Sequence, residues 1–116
     1  MKIDEIVGVL NAEMLVKGDD IDIEIKSACG ADLMSDVMAY VKENVLLLTG
    51  LVNPQVVRTA EMMDIKAIAF VRGKKPGQDI IELANEKKIT VLVTKETMFT
   101  ACGKLYKEGI TGRGIW

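Results

Sequence analysis

Three short, uninterrupted apolar runs constrain the fold of this 116-residue chain more than any other feature. They are VLLLT (45–49), AIAFV (67–71) and TVLVT (90–94). A run of about five residues is short for a helix and has the length of a strand that is buried on both faces. Helical patterns separate and follow the runs, so the order predicts a small parallel α/β sheet with right-handed crossovers.

The helical patterns carry their own start and stop signals. They cover 53–64, 76–88 and 95–109. Asn53 is expected to cap the first of them, with Pro54 at the first helical position, and Pro76 is expected to open the second. Gly109 is expected to end the last helix, since glycine commonly follows a helix C-terminus.

The first third of the chain has a less regular pattern. Apolar residues spaced at i, i+3, i+4 and i+7 predict a short helix over 2–10, and EMLVKG (13–18) predicts a short strand. Strict alternation in IDIEIK (21–26) predicts an edge or antiparallel strand. A further helix is expected at about 31–42, with Asp32 in its opening turn.

These elements predict one α/β domain over residues 1–116, with a core at about 5–110 and a tail at 111–116. The expected architecture is a two-layer or three-layer parallel sheet with a βαβαβα core, a short N-terminal helix and an antiparallel edge strand. In the tail, Trp116 is interpreted either as a loose chain end or as a contact with a neighbouring subunit.

Composition excludes several classes of function. The net charge is −2, with 15 basic and 17 acidic residues, so no nucleic-acid partner is expected. No apolar run approaches the roughly 20 residues of a membrane span, and the N-terminus does not resemble a signal peptide, so a cytoplasmic location without membrane contact is expected.

The chain contains no histidine, which removes the usual catalytic base. Cys29 and Cys102 are isolated in sequence and are interpreted as small buried thiols. Two cysteines and carboxylates are a poor ligand set for zinc. We therefore expect no catalytic residue, no metal site, no cofactor and no enzymatic activity.

A candidate ligand site follows from the loops after the three apolar runs. In an open parallel sheet, ligands bind beyond the carboxyl ends of the strands, and here those loops carry a glycine, a basic cluster and two threonines. The candidate ligand-binding residues are Thr49, Gly50, Asn53, Arg72, Gly73, Lys74, Thr94 and Thr97. Each also has an interpretation without a ligand: Gly50 as a turn residue, the basic cluster as a solvated connection and Thr97 as a helix cap.

Wide apolar faces on two of the predicted helices suggest that part of the surface is covered by a second chain. A symmetric homodimer is the commonest arrangement of this kind. The candidate interface residues are Met34, Met38, Leu51, Val52, Phe99 and Tyr106.

The segments DLMSDVMAYVKENVLLLTG and NPQVVRTAEMMDIKAIAFVRGKKPGQDIIELANEKKITVLVTKETMFTACGKL resemble the DRTGG domain, which is similar to the N-terminal domain of HPr kinase/phosphorylase. The resemblance covers roughly residues 5 to 110. In that family the domain accompanies CBS domains in some pyrophosphatases and precedes catalytic domains in some acetyl-transfer enzymes. The resemblance implies regulation and subunit association, and it implies no catalysis.

The family pattern has an Asp-Arg pair after the Thr-Gly of its first strand and a Thr-Gly-Gly after the second. Here Thr49-Gly50 is kept, Leu51-Val52 replaces the Asp-Arg pair, and Val71-Arg72-Gly73 replaces Thr-Gly-Gly. The leading hypothesis is a stand-alone, non-catalytic regulatory and oligomerisation module that regulates or assembles with a protein partner. A small anionic ligand, such as a phosphorylated one, at the carboxyl ends of the strands is an optional part of this hypothesis. The alternative is an accessory subunit of a metabolic enzyme or kinase that senses a nucleotide or phosphometabolite.

Overall fold

A computed structural model describes residues 1–19, 21–39 and 43–112. Five helices and five strands lie in these ranges. The helices are α1 (Ile3–Leu10), α2 (Met34–Met38), α3 (Pro54–Met62), α4 (Gln78–Lys87) and α5 (Met98–Lys107). The strands are β1 (Glu13–Val16), β2 (Ser27–Gly30), β3 (Val45–Thr49), β4 (Ala67–Phe70) and β5 (Thr90–Val93).

The strands form one sheet in the order β1-β5-β4-β3-β2. Strands β2 to β5 are parallel to one another, and β1 pairs with β5 in the antiparallel direction. Helices cover both faces, so the predicted α/β fold is confirmed in its three-layer form, with a parallel core, an N-terminal helix and an antiparallel edge strand.

Alternation along the strands divides the core into two clusters. In β3, Val45 and Leu47 face one cluster, while Leu46 and Leu48 face the other. The crossover helices α2, α3 and α4 pack on the first face, and α1 and α5 pack on the second. Because the parallel strands advance across the sheet in one direction, crossovers of one hand place all three connecting helices on the same face.

The strand predicted over 21–26 is wrong. Residues 21–23 form a turn and bend, and residues 24–26 have no regular structure. Ile25 is nevertheless buried, and its N–H donates to the carbonyl of Met1 at 2.7 Å. The alternating isoleucines therefore pack against the α1 and α5 side of the core without joining the sheet, and the antiparallel edge is β1.

Two predicted helix boundaries also require correction. Asp32 precedes α2, which begins at Met34, so Asp32 is not part of the opening turn of that helix. Pro76 does not occupy the first turn of α4, because Gly77 is the N-cap residue and the helix begins at Gln78. Asn53 caps α3 as predicted, and its side chain accepts a hydrogen bond from the Gln55 N–H at 2.7 Å.

After α5 the chain returns to the edge of the sheet. Thr111 forms a parallel bridge with Ser27, and its carbonyl accepts the Ala28 N–H at 3.1 Å. The predicted end of the second helix at residue 42 and the expectation for Trp116 lie outside the described residues. None of the described helices combines the length and the apolar character that crossing a membrane requires.

Gly18 fixes the approach of β1 to the start of β5. A Cβ at this position would lie 2.4 Å from the Lys88 carbonyl oxygen and 2.9 Å from the Thr90 backbone nitrogen. The Gly18 N–H also donates to the Thr90 hydroxyl at 2.9 Å in a buried position. The backbones therefore pack so closely that no side chain fits between them.

Gly18→Ala is expected to lower the free energy of unfolding by about 1–3 kcal/mol, because backbone atoms must move to admit the methyl group. The matched control is Gly8→Ala in α1, where a Cβ would meet nothing within 4 Å. That substitution should raise stability by about 0.5–1 kcal/mol. Urea denaturation followed by circular dichroism measures both changes, and equal effects at the two positions would contradict the packing described.

Candidate functional site

The carboxyl ends of β2, β3, β4 and β5 lie along one edge of the sheet because these four strands are parallel. The three loops predicted to form a site therefore lie side by side. These loops form two neighbouring features. One is a corner at the end of β3 that is filled by a side chain of the same chain, and the other is an open groove at the ends of β4 and β5.

The corner at the end of β3 is organised by the carboxylate of Asp32. Its Oδ1 accepts the Gly50 N–H at 2.7 Å and the Thr49 hydroxyl at 3.2 Å. The Thr49 hydroxyl oxygen in turn accepts the Leu51 N–H at 3.1 Å. Backbone and side-chain donors that suit a bound anion are thus directed at an acidic side chain of the same chain.

Arg72 closes this corner from the next loop. Its Nη2 lies 3.7 Å from Asp32 Oδ2, and its guanidinium lies against Gly50. A Cβ at Gly50 would be 2.2 Å from that Nη2, so only glycine admits the arginine in this position. Gly50 therefore allows the close approach of Arg72. Leu51 and Val52 carry no charge, and the charged side chains at this corner are those of Asp32 and Arg72.

A tight turn carries Arg72 and Gly73. Both have positive φ, 63° and 69°, and the Lys74 N–H donates to the Val71 carbonyl at 3.3 Å, as in a type I′ turn. The Arg72 N–H donates to the Glu96 carbonyl at 2.7 Å. These bonds tie the loop after β4 to the loop after β5.

A groove of about 500 Å³ opens between those two loops and the turn from α1 to β1. Its lining residues are Leu10, Asn11, Ala12, Glu13, Gly73, Lys75, Val93, Thr94, Lys95, Glu96 and Lys104. Of the predicted ligand residues, the structure brings only Gly73 and Thr94 to the groove. Lys74 is exposed and does not line it.

The groove lies between two neighbouring strands, β4 and β5, after which the chain passes to opposite faces of the sheet. After β4 the chain enters α4 on one face of the sheet, and after β5 it enters α5 on the other. Such a divergence between adjacent parallel strands opens a crevice at their carboxyl ends, which is where open α/β sheets bind ligands.

Three lysines, Lys75, Lys95 and Lys104, and two carboxylates, Glu13 and Glu96, line the groove, so its charged lining is positive by one. Lys104 forms an ion pair with Glu96, whose side chain is three-quarters buried. Within the described parts of the chain, neither Lys75 nor Lys95 has an ion-pair partner. The ligand residues predicted from the sequence include none of Lys75, Lys95 and Lys104. Lys75 stands in the basic cluster and Lys95 directly follows Thr94, whereas Lys104 reaches the groove from a helix that only the fold positions.

Thr94 and Thr97 have structural roles. The Thr94 hydroxyl is buried, donates to the Leu10 carbonyl at 2.7 Å and accepts the Glu96 N–H at 3.2 Å. The Thr97 hydroxyl accepts the Thr100 N–H at 3.3 Å and caps α5. Both threonines position the loop after β5 and have their hydroxyls engaged within the chain.

The two cysteines are half-buried. Burial raises the pKa of the Cys29 thiol, with smaller contributions from the negative charges of Asp36 and Cys102, and burial also raises the pKa of the Cys102 thiol. Both shifts disfavour the thiolate, which is the nucleophilic form of cysteine. Across the described ranges, no three cysteine or carboxylate side chains are grouped so as to hold a metal ion.

The predicted interface residues do not form one surface. Met34 is buried in the core and offers little surface to a partner, while Leu51 and Val52 pack partly against the same core cluster. Phe99 and Tyr106 lie on α5, on the other face of the sheet, and are 87% and 71% exposed. Met38, 41% exposed, lies on α2 on the opposite face, so the candidate interface residues are distributed over both faces of the sheet.

Comparison with known proteins identifies the family to which this fold belongs. The model of the DRTGG domain matches residues 5–107, nearly the whole chain. The chain therefore belongs to the DRTGG domain family. A search of curated protein sequences finds no significant match.

A solved structure with a similar fold comes from Clostridium perfringens and contains the CBS and DRTGG domains of the regulatory region of a pyrophosphatase, in complex with the activator diadenosine tetraphosphate. The TM-score is 0.77 at 21% identity, over 90% of this chain. This chain covers 45% of the length of that one. The likeness establishes the shared fold.

Thr94→Val is expected to lower the free energy of unfolding by about 1–3 kcal/mol, because it leaves the Leu10 carbonyl and the Glu96 N–H without their buried partner. Thr59→Val is the matched control, since the buried Thr59 hydroxyl has no hydrogen-bond partner among the described residues. That substitution should leave stability unchanged or raise it by about 1 kcal/mol. Thermal and urea denaturation of the two variants tests this contrast, and a larger loss at Thr59 would contradict it.

Proposed function

We propose that this chain is a non-catalytic regulatory module that binds a small phosphorylated ligand in the groove at the ends of β4 and β5. The observation that carries the proposal is the position of Lys75 and Lys95. Both line a crevice at the carboxyl ends of parallel strands, and neither is neutralised by an ion pair among the described residues. Such a place suits a ligand with negative charge.

The dimensions and lining of the groove support a ligand of this class. Its volume of about 500 Å³ falls in the range of small-molecule sites. Leu10, Ala12 and Val93 provide an apolar wall, and none of the described lining residues is aromatic. Recognition would therefore rest on phosphate groups held by lysines and on apolar contact, without stacking on a base.

The similar structure supports the choice of polyphosphate probes. In that protein, a regulatory region with CBS and DRTGG domains is complexed with diadenosine tetraphosphate. In the alternative function, the chain is an accessory subunit of a metabolic enzyme or kinase and senses a nucleotide or phosphometabolite for that enzyme. The proposed location of the module is the cytoplasm, and its proposed output is altered association with that partner.

Isothermal titration calorimetry with ATP, diadenosine tetraphosphate and inorganic pyrophosphate tests the ligand. Lys75→Ala and Lys95→Ala should each weaken binding about tenfold, because each removes a charge-assisted contact. Lys74→Ala is the matched control, since this neighbouring lysine lies outside the groove and should keep the wild-type affinity.

Two results would overturn the ligand proposal. One is the absence of a heat signal for the wild-type chain with any of the three compounds. The other is an equal loss of affinity in Lys74→Ala and Lys75→Ala, which would show general attraction to a basic surface and no binding in the groove.

We also propose that the module forms a homodimer through the exposed face of α5. Phe99 and Tyr106 are seven positions apart and therefore lie on one side of the helix. Beside Tyr106, an apolar pit of about 190 Å³ lies between α5 and the edge strand β2. Two large exposed aromatic side chains on one side of a helix, one of them beside an apolar pit, are typical of an interface.

Light scattering at micromolar concentration should give a dimer mass for the wild-type chain and a monomer mass for the double variant Phe99→Asp and Tyr106→Asp. Met62→Asp is the control, because Met62 is also a large exposed apolar residue, at 62%, but lies on α3, across the sheet. It should leave the dimer intact. A monomer mass for the wild-type chain would rule out this assembly.

A further inference from the structure

The filled corner at the end of β3 contains a second arrangement of donors that suits an oxyanion, separate from the lysine groove. It combines a backbone N–H from Gly50, the hydroxyl of Thr49 and the guanidinium of Arg72. Main-chain amides, hydroxyls and arginine are the donors that proteins most often direct at phosphate groups. None of these three groups lines the groove.

An anionic group already occupies this arrangement. The Asp32 carboxylate accepts both the Gly50 N–H and the Thr49 hydroxyl through a single oxygen, Oδ1. Its other oxygen faces Arg72 at 3.7 Å, which is longer than a direct hydrogen bond. The carboxylate therefore occupies the anion position but forms no direct hydrogen bond with the Arg72 guanidinium.

The occupant is accessible to solvent. The side chains of Asp32 and Arg72 are 55% and 46% exposed. Asp32 lies in the short connection between β2 and α2, and it enters neither hydrophobic core cluster. Its carboxylate can turn outward into water without uncovering apolar surface. Because Thr49 and Gly50 are themselves buried, a competing anion reaches their donors through the position that this carboxylate vacates.

We propose that Asp32 is a built-in competitor in an oxyanion site, and that a phosphate group binds at Gly50, Thr49 and Arg72 by displacing it. A phosphate offers three acceptor oxygens and more charge than a carboxylate, so it can engage all three donors at once. The ligand class is a phosphate group, either as the free inorganic ion or as a monoester.

The corner and the groove share one loop. Arg72 belongs to the corner by its side chain, and the next residue, Gly73, lines the groove. The Arg72 N–H is bonded to the Glu96 carbonyl, which belongs to a second lining residue. A phosphate group bound at the corner therefore acts on the loop that forms one wall of the groove. Its contacts with Gly50, Thr49 and Arg72 do not involve the lysines of the groove.

The test uses the full ¹⁵N-labelled chain, titrated with inorganic phosphate and, separately, with methyl phosphate, while the Gly50 amide resonance is followed. Asp32→Ala should bind phosphate at least about tenfold more tightly than the wild-type chain, with a saturable shift of Gly50. The double variant Asp32→Ala, Arg72→Ala should lose the gain. Preference for methyl phosphate over the free ion would identify the monoester as the ligand.

Asp36→Ala is the control for net charge, because it removes one exposed carboxylate from the neighbouring helix α2 and should behave like the wild-type chain. Lys75→Ala in the Asp32→Ala background should keep the Gly50 response, which separates this site from the groove. If Asp32→Ala does not fold, Asp32→Asn serves instead, since it removes the charge and keeps an acceptor of the same shape.

Three results would overturn the proposal. The first is equal phosphate affinity in the wild-type chain and in the folded Asp32 variants. The second is a Gly50 amide that does not respond in those variants. The third is loss of the folded state in both Asp32→Ala and Asp32→Asn, because a carboxylate on which the fold depends cannot be displaced by a ligand.

Discussion

Burial of the central strands on both faces is the constraint on which the rest of the structure depends. Every residue of strands β3, β4 and β5 is buried, so helices must cover both sides of the sheet. The three crossover helices fill one face and leave the other to α1 and α5. The chain that leaves β5 must therefore turn away from the chain that leaves β4, and the groove opens at that divergence.

Local patterns in the sequence were sufficient to predict most of the fold. The apolar runs became β3, β4 and β5, because continuous burial leaves no other arrangement for a short extended segment. The strand over 21–26 was wrong because alternation reports which side chains are buried and does not report what the backbone pairs with. Ile25 is buried as its pattern requires, but its N–H bonds to Met1. The residues of β2, Ser-Ala-Cys-Gly, carry no strand pattern and join the sheet only through tertiary pairing with β3.

The site was predictable at the level of loops and not of side chains. The sequence predicted ligand contacts at the carboxyl ends of the strands, and two of the predicted residues, Arg72 and Gly50, lie in contact in the structure. Lys75 lines the groove and the adjacent Lys74 does not, and nothing in the composition of the loop distinguishes the two lysines. Asp32 was assigned to a helix opening, whereas its carboxylate bonds to a neighbouring strand end.

The most direct test of the central claim, a ligand groove between the β4 and β5 loops, is a crystal structure of this chain grown with diadenosine tetraphosphate or ATP. Phosphate groups are expected within hydrogen-bond distance of the Nζ atoms of Lys75 and Lys95, with Gly73 beneath them. A ligand bound on another face of the domain, with both lysines in solvent, would contradict it.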